Sequence, residues 1–183
     1  MSGIFIRICL NLIDDNSQIV EGKMLVRKIT DNIGFEQSAE IVRTAFLTVA
    51  KEFNYTKENA PGNPAFIQTH DLEELYKKGI ELFGFFCDEK QIGFIAIEKV
   101  NDSLFFMKRL AVQPDFRGSG IGKEIMDFVF TYVSEHGGKT IGIAVINENN
   151  VLKNWYLNYG FKEIEVKKYE KLLYEICFME KEV

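Results

Sequence analysis

A glycine-rich segment near the middle of the chain carries the clearest chemical signal. Residues 113–122 read QPDFRGSGIG, so Gly118, Gly120 and Gly122 stand at alternate positions between a predicted strand and an amphipathic helix. A glycine has no Cβ, which lets a ligand approach the backbone closely. The start of a helix adds unpaired N–H groups and the positive end of the helix dipole. These features predict an anion site, and a pyrophosphate suits it best.

Other interpretations of this segment are open at this point. The glycines could simply form a tight turn. A P-loop would need Ser or Thr after the lysine, but the chain reads Gly122-Lys123-Glu124 and lacks the hydroxyl that binds Mg²⁺. A dinucleotide-binding turn normally lies in the first β-α-β unit of its domain. Here the turn follows an antiparallel meander, which disfavours both nucleotide-binding folds. A phosphate-binding NTPase is therefore the least favoured of the three functions considered in this section.

Two separate motifs resemble those of the GNAT N-acetyltransferase superfamily. Residues 110–122, LAVQPDFRGSGIG, are similar to the family's acetyl-CoA-binding motif, Gln/Arg-x-x-Gly-x-Gly/Ala after a strand ending in Val-x-Pro. Residues 149–161 carry Asn-x-x-Leu-x-x-x-Tyr-x-x-x-Gly-Phe, which is similar to the family's Asn-x-x-Ala-x-x-x-Tyr-x-x-x-Gly-Phe. Residues 178–181, FMEK, resemble the family's last strand. The resemblance extends over about residues 24–183.

The resemblance implies that acetyl-CoA is the cosubstrate, and we expect no metal to take part. The N–H groups of the turn would hold the pyrophosphate, and the preceding strand would pair with the pantetheine arm as an added strand does. In the family, an N–H on this strand also polarises the thioester carbonyl. The implied cofactor-binding residues are Leu110, Ala111, Val112, Arg117, Gly118, Ser119, Gly120, Ile121, Gly122, Lys123, Asn149 and Tyr156. Asn149 could also cap the helix that follows it, and the two roles are compatible.

The resemblance also implies a general acid. Direct transfer releases a thiolate whose reference pKa is about 8.5, judged from cysteine, and this leaving group benefits from a proton donor. Tyr156 occupies the position at which the family carries its general acid, and we assign it that catalytic role. The alternative is that Tyr156 is a packing aromatic beside Trp155 and Tyr159.

The general base is not evident from the sequence. Many relatives carry Glu two residues before the Leu of Leu-Ala-Val, where this chain has Lys108, and a protonated lysine cannot accept a proton. Glu98, Glu148 and a water relayed by backbone carbonyls stay open as alternatives. His70 could border the acceptor pocket, because family acceptor sites draw on the first two helices and their loops, or it could be a capping or surface residue.

The elements that must position these residues follow from hydrophobic periodicity. Strands are predicted at Leu25–Ile29, Leu82–Cys87, Ile92–Val100, Leu104–Val112, Thr140–Ile146, Phe161–Val166 and Leu172–Met179. Helices are predicted at Phe35–Phe53, around Leu72, Leu75 and Tyr76 with Gly79 as the stop, after Gly122 as far as Gly137-Gly138, and at Val151–Tyr159. This order predicts a mixed α/β single domain. The resemblance narrows it to a GNAT-like domain with a mostly antiparallel central sheet flanked by helices.

Composition and charge exclude several classes of protein. The 183 residues include 22 basic and 27 acidic side chains, and a net charge of −5 argues against a nucleic-acid binder. No run approaches the roughly 18 apolar residues of a membrane span. Three cysteines without short spacing indicate reduced thiols and a cytoplasmic protein, and two distant histidines argue against a metal site. Residues 1–23 are predicted to be an extension outside the fold, with an arm or extra strand as the alternative, and residues 24–183 the GNAT domain.

The sequence thus predicts a cytoplasmic acyltransferase that moves the acetyl group of acetyl-CoA to a primary amine by direct attack in a ternary complex. The acceptor is a small molecule or a peptide or protein amine, with no nucleic-acid or membrane partner, and a homodimer is a possible assembly. The segment Asn54–Gln68 is expected to line the acceptor pocket. The alternative function is a non-catalytic GNAT-fold module that binds coenzyme A or an acyl-CoA as a sensor or structural ligand.

Overall fold

In a computed structural model of the protein, residues 9–13, 19–170 and 172–183 are described, with side chains from Met24 onward within these ranges. The helices are α1 (Asn32–Glu52), α2 (Thr69–Lys77), α3 (Ile121–Glu135) and α4 (Asn150–Asn158). The strands are β1 (Cys9–Ile13), β2 (Ile19–Lys28), β3 (Glu81–Cys87), β4 (Lys90–Lys99), β5 (Leu104–Val112), β6 (Thr140–Ile146), β7 (Lys162–Lys168) and β8 (Glu175–Glu182). Among the described residues, no helix combines the length and apolar character that crossing a membrane requires.

The strands form one sheet in the order β1-β2-β3-β4-β5-β6-β8-β7. All neighbouring strands are antiparallel except β5 and β6, which run parallel. Strand β8 pairs with β6 on one side and with β7 on the other, so it lies inside the sheet. This architecture confirms the predicted α/β class with a mostly antiparallel sheet flanked by helices.

Hydrophobic clusters cover both faces of the sheet. On one face α3 contributes the stripe predicted from its sequence, Ile121, Ile125, Val129 and Val133, each no more than 1% exposed. Fully burying an apolar side chain of this size contributes about 1.5–3 kcal/mol, so this stripe is a major source of stability. On the other face α1 and α2 pack against the sheet through Phe35, Ala39, Val42, Ala45 and Leu72.

Strands β5 and β6 separate soon after they meet. The two strands pair over three residues each, Leu104–Phe106 of β5 with Thr140–Gly142 of β6. Beyond Phe106, the edge of β5 that faces β6 pairs with no other described strand, and a wedge opens between the two strands. This wedge contains a cavity, which is described below.

A β-bulge bends β5 at the mouth of the wedge. The register between β4 and β5 shifts between Phe94 and Ala96, where β5 holds one extra residue. Arg109 lies in this bulge with φ = 56°, in the left-handed region that non-glycine residues rarely adopt. Such a conformation costs on the order of 1–3 kcal/mol, and residues held in it cluster at functional sites.

The N-terminal segment differs from the favoured sequence prediction. Residues 9–13 and 19–23 lie in strands, with β1 pairing antiparallel to β2, rather than in an extension outside the fold. Strand β2 runs through Met24 without a break, because its hydrogen bonding to β1 continues where its pairing with β3 ends. Residues 14–18 lie outside the described ranges. The division into residues 1–23 and 24–183 stays a prediction.

Candidate active site

A cavity of about 430 Å³ fills the wedge between β5 and β6. Its walls include Leu110 from β5, Asn149 at the start of α4 and Tyr156 within α4, three predicted site residues from distant parts of the sequence. The remaining lining residues come from β5, β6 and β8, from helices α1, α2 and α4, and from two connecting segments: Phe46, Val49, Asn63, Pro64, Leu75, Phe106, Met107, Lys108, Arg109, Ile143, Ala144, Val145, Ile146, Leu152, Tyr174 and Ile176. The predicted acceptor segment Asn54–Gln68 contributes Asn63 and Pro64.

The glycine turn leads directly into α3. Gly118 and Gly120 have φ values of 78° and 88°, which explains why glycine stands at both positions. A Cβ at either residue would meet no heavy atom within 4 Å, so the space above the turn is open. Gly122 is different, because its Cβ would lie 3.4 Å from the Trp155 ring. A Cβ at this position would be in ordinary van der Waals contact with α4, so the packing by itself does not require a glycine.

The start of α3 has no side-chain cap. Asp31 caps α1 by accepting a hydrogen bond from the Gly34 N–H at 2.8 Å, whereas the N-cap of α3 is Gly120, which has no side chain to accept one. The first N–H groups of the helix, from Ile121 to Lys123, lack intrahelical acceptors. They lie at the positive end of the dipole of α3, so this turn can bind an anion with backbone groups alone.

Arg117 contacts α1 rather than the open side of the turn. Its Nη2 donates to the Ala45 carbonyl at 2.7 Å, its Nη1 to the Thr48 hydroxyl at 2.9 Å, and its Nε to the Val112 carbonyl at 3.3 Å. Its backbone N–H donates to the Pro114 carbonyl. These bonds give Arg117 a structural role in fixing the turn to α1, and direct binding of a cofactor by its guanidinium would require breaking them.

Ser119 and Lys123 also have partners close to the turn. The Ser119 hydroxyl donates to the Phe116 carbonyl at 2.6 Å, which stabilises the turn. The Lys123 ammonium lies 2.9 Å from the Asp127 carboxylate, which raises the pKa of the lysine. Both side chains are thus occupied, and the backbone N–H groups remain the principal anion donors of this segment.

The three predicted strand residues differ in position. Leu110 lines the cavity, while Ala111 and Val112 are buried in the hydrophobic clusters beyond it. Ala111 and Val112 pair with Phe94 and Gly93 of β4 through one edge of β5. The opposite edge faces the wedge and can pair with an extended ligand.

Tyr156 both packs and faces the cavity. Its ring makes edge contacts with Trp155 and Phe161, at centroid distances of 4.9 and 5.4 Å, and the residue is 5% exposed. Burial raises the pKa of Tyr156 far above its ordinary value of 10, so the phenol stays protonated through the neutral and mildly alkaline range. The packing alternative and the proton-donor role therefore fit the same side chain.

Asn149 caps α4 and lines the cavity. Its Oδ1 accepts a hydrogen bond from the Leu152 N–H at 3.0 Å, the contact expected of an N-cap. This leaves the amide Nδ2 as a donor at the cavity wall, where Asn149 is only 9% exposed. Its role in cofactor binding stays a prediction.

Residues 79–163 match the family model of the acetyltransferase (GNAT) domain. The match identifies this segment as a GNAT acetyltransferase domain. Over 96 aligned residues it is 33% identical to an uncharacterized N-acetyltransferase of Methanocaldococcus jannaschii, a match that covers 46% of this chain. The match spans 42% of that relative's length.

Solved GNAT structures share the fold at low sequence identity. The PaiA N-acetyltransferase of Thermoplasma acidophilum, in complex with coenzyme A, has a TM-score of 0.72 and 19% identity, over 88% of this chain and 99% of its own. The ribosomal-protein-S18-alanine N-acetyltransferase of Escherichia coli has a TM-score of 0.68 and 15% identity, over 87% and 93%. A GNAT acetyltransferase of Elizabethkingia anophelis with acetyl-CoA bound has a TM-score of 0.54 and 18% identity, over 62% and 82%. These similarities concern the fold.

The positions considered for a general base, and His70 as a candidate for the acceptor pocket, are only partly at the cavity. Lys108 lines it, and its ammonium lies 2.5 Å from the carboxylate of Glu98 on the neighbouring strand. Glu148 is exposed and accepts a hydrogen bond from the Glu175 N–H at 3.4 Å. His70 is exposed at the start of α2, 3.5 Å from Asp71. Of the two carboxylates left open as bases, Glu98 alone forms an ion pair with a described residue of the cavity wall.

Several cavity residues were not identified from the sequence. Tyr174 is buried against Tyr55, with ring centroids 4.8 Å apart, and lies in the stretch predicted as the start of the last strand, which instead begins at Glu175. Arg109 lines the cavity because it lies in the β-bulge, a backbone feature that could not be predicted from the residue pattern. Within the described ranges, no group of three or more His, Cys, Asp or Glu residues is placed to hold a metal ion.

Proposed function

We propose that the protein is an acetyl-CoA-dependent N-acetyltransferase that acts on a primary amine of a small molecule, peptide or protein. The observation that supports this most is that the open edge of β5 runs between an uncapped helix start and a cavity that contains Tyr156. This layout suits a long cosubstrate with phosphates at one end and a reactive thioester at the other. The coenzyme A complex of the Thermoplasma acidophilum relative supports the same assignment.

The chain offers groups for each part of the cosubstrate. The N–H groups of Ile121, Gly122 and Lys123 would hold the pyrophosphate. The free edge of β5 at Leu110–Val112 would pair with the amides of the pantetheine arm. An N–H on the same strand would then polarise the thioester carbonyl, a stabilisation of the oxyanion type.

The reaction requires two proton movements. Acetyl-CoA supplies an acetyl group activated as a thioester. The amine nitrogen bonds to the carbonyl carbon, the carbon–sulfur bond breaks, and its electron pair leaves on sulfur. The thiolate gains one proton and the amine loses one. Because the amine attacks the thioester directly, no covalent enzyme intermediate is required. Tyr156 is the proton donor to sulfur in this proposal, because its buried phenol is protonated and lines the cavity.

The amine proton leaves through water in this proposal. Glu98 is occupied by Lys108 and does not line the cavity, and within the described residues no Asp or Glu does. That same observation favours the second candidate function, a module that binds coenzyme A or an acyl-CoA without turnover. Release of free thiol from acetyl-CoA, measured over a panel of primary amines, separates the two. Acetylation of any amine supports the enzyme, and saturable binding without turnover on every amine supports the module.

A substitution at Lys108 tests the prediction that the side chain at this position is not the general base. The change Lys108→Ala is expected to leave the alkaline limb of the pH–rate profile in place, because a protonated lysine donates and cannot accept a proton. We expect the affinity for acetyl-CoA to fall by less than about 5-fold, equivalent to roughly 1 kcal/mol for an exposed ion pair. Glu98→Gln is the matched variant, since it removes the other half of the pair. A loss in kcat on the order of 10³-fold in Lys108→Ala, with normal acetyl-CoA binding, would make Lys108 the base.

A further inference from the structure

Arg109 is an arginine whose charge has no partner among the described residues. No hydrogen bond or ion pair joins its guanidinium to a described residue, and its Nε is buried without an acceptor. The three other described arginines are all engaged: Arg27 with Glu89, Arg43 with Glu40 and the Ile67 carbonyl, and Arg117 with α1. A buried polar group without a hydrogen bond is costly, so its presence needs an explanation.

The surroundings of Arg109 make this cost larger. It lines the cavity together with the apolar side chains of Phe46, Val49 and Leu75 from α1 and α2. Burial lowers the pKa of the Arg109 guanidinium, an effect that Asp71 opposes only through its more distant charge. The strained bulge at φ = 56° brings Arg109 into this wall. The charge of Arg109 and its left-handed backbone conformation are thus both unfavourable for the free energy of folding. Both occur in the wall of the cavity that contains Tyr156.

The cosubstrate does not account for this charge. Its phosphates would bind at the start of α3, and the pantetheine arm that would run along β5 carries amides and no charge. The partner of Arg109 must therefore be an anion that enters the cavity from elsewhere, and the acceptor is the remaining component of the reaction. An arginine offers planar, paired N–H donors that match a carboxylate.

We propose that Arg109 binds a carboxylate of the acceptor, so that the acceptor is an amine that carries a carboxylate within the span of this cavity. The inference rests on the proposed function and names the substrate class of the same site. The guanidinium anchors the carboxylate, which places the amine beside the thioester and Tyr156. Free amino acids supply this chemistry, and so does a peptide whose N-terminal amine lies next to an acidic residue.

Matched pairs of acceptors test this inference. Each amine with a carboxylate is compared with its carboxamide: glycine, β-alanine, 4-aminobutanoate, 6-aminohexanoate, and a tripeptide with Asp or Asn at its second position. We expect kcat/KM to favour the carboxylate member of the best pair by roughly 10- to 100-fold, the range for a charge-assisted hydrogen bond. The amino acids and the tripeptide separate the two sources of the carboxylate.

Variants at Arg109 assign the preference to this residue. Arg109→Met is expected to remove the preference by lowering kcat/KM for the carboxylate member alone, with the KM for acetyl-CoA unchanged. Arg109→Lys should keep part of it, because it retains the charge but loses the paired donors. Arg27→Met is the control, since Arg27 is exposed and already paired with Glu89. Thermal unfolding checks the fold, and Arg109→Met should not lower Tm, because it removes a desolvated charge.

A binding measurement keeps the inference separate from the proposed function. The single tryptophan, Trp155, contacts Tyr156, so its fluorescence can report on a ligand in the cavity. With coenzyme A present, propanoate should give a saturable change that propanamide and Arg109→Met do not. Equal turnover of carboxylate and carboxamide, or equal loss of both in Arg109→Met, would overturn the inference while leaving the acetyltransferase in place. Absence of turnover on every amine together with selective propanoate binding would instead overturn the proposed reaction and keep the anion site.

Discussion

Replacing Gly120 with valine is expected to abolish the stabilisation of the protein by acetyl-CoA. A ligand that binds only the folded state at about 100 times its Kd stabilises it by about 2.7 kcal/mol. For a chain of this length that corresponds to a rise in Tm of roughly 5–10 °C. A side chain at Gly120 would occupy the open space above the turn, where the phosphates would bind. The shift in Tm with acetyl-CoA, measured in wild type and variant, checks this.

The control must share the backbone strain of Gly120→Val. Gly137 lies at the opposite end of α3, with φ = 78° and no heavy atom within 4 Å of its ideal Cβ, so valine there is similarly strained but distant from the turn. Gly137→Val should lower the Tm of the free protein and keep the shift on adding acetyl-CoA. An undiminished shift in Gly120→Val would place the phosphate site elsewhere.

Removing the Tyr156 hydroxyl is expected to lower kcat by roughly 10²-fold or more, at the low end of general acid–base effects. The KM for acetyl-CoA should change little. The phenylalanine ring retains the edge contacts with Trp155 and Phe161, so Tyr156→Phe should fold normally. Tyr159→Phe is the matched control, because Tyr159 follows α4 directly, packs on Trp155 at 4.7 Å and does not line the cavity. A kcat like that of the wild type in Tyr156→Phe would leave the tyrosine with packing alone.

The raised pKa of Tyr156 also predicts a pH dependence of stability. In the unfolded chain a tyrosine loses its proton near pH 10, whereas the buried phenol keeps it to higher pH. The unfolded state therefore binds fewer protons above about pH 10, and the free energy of unfolding falls as the pH rises further. Tyr156→Phe should reduce this alkaline loss. It should not abolish it, because burial also raises the pKa of Tyr55 and Tyr174. Urea unfolding between pH 8 and 11 measures the effect.

Local features of the site could be predicted from the sequence. The pattern of alternate glycines followed by an amphipathic helix involves only residues that are close in the sequence. The turn and α3 lie at the predicted positions. Strands β5 and β6 also have the predicted bounds, because turn residues close in the sequence flank their apolar runs. The family motifs also led to Tyr156 and Asn149, both of which line the cavity.

Features that depend on distant contacts could not be predicted. The bulge that brings Arg109 into the cavity wall arises from the register between β4 and β5, which the residue pattern does not contain. Arg117 was expected at the cofactor, but the carbonyl of Ala45 and the hydroxyl of Thr48 on α1 hold its guanidinium. Tyr174 reaches the cavity because β8 lies next to β6, an order that residue periodicity does not contain.

The position of β8 inside the sheet has a consequence for how the protein matures during translation. Strand β7 leaves the ribosome before β8, the strand that connects it to the rest of the sheet. Until β8 is synthesised, the nascent chain presents the unpaired edge of β6, and such edges promote association between chains. Tyr174 and Ile176, which close one side of the cavity, belong to the same late segment. The cavity wall is therefore incomplete until this last segment has been synthesised.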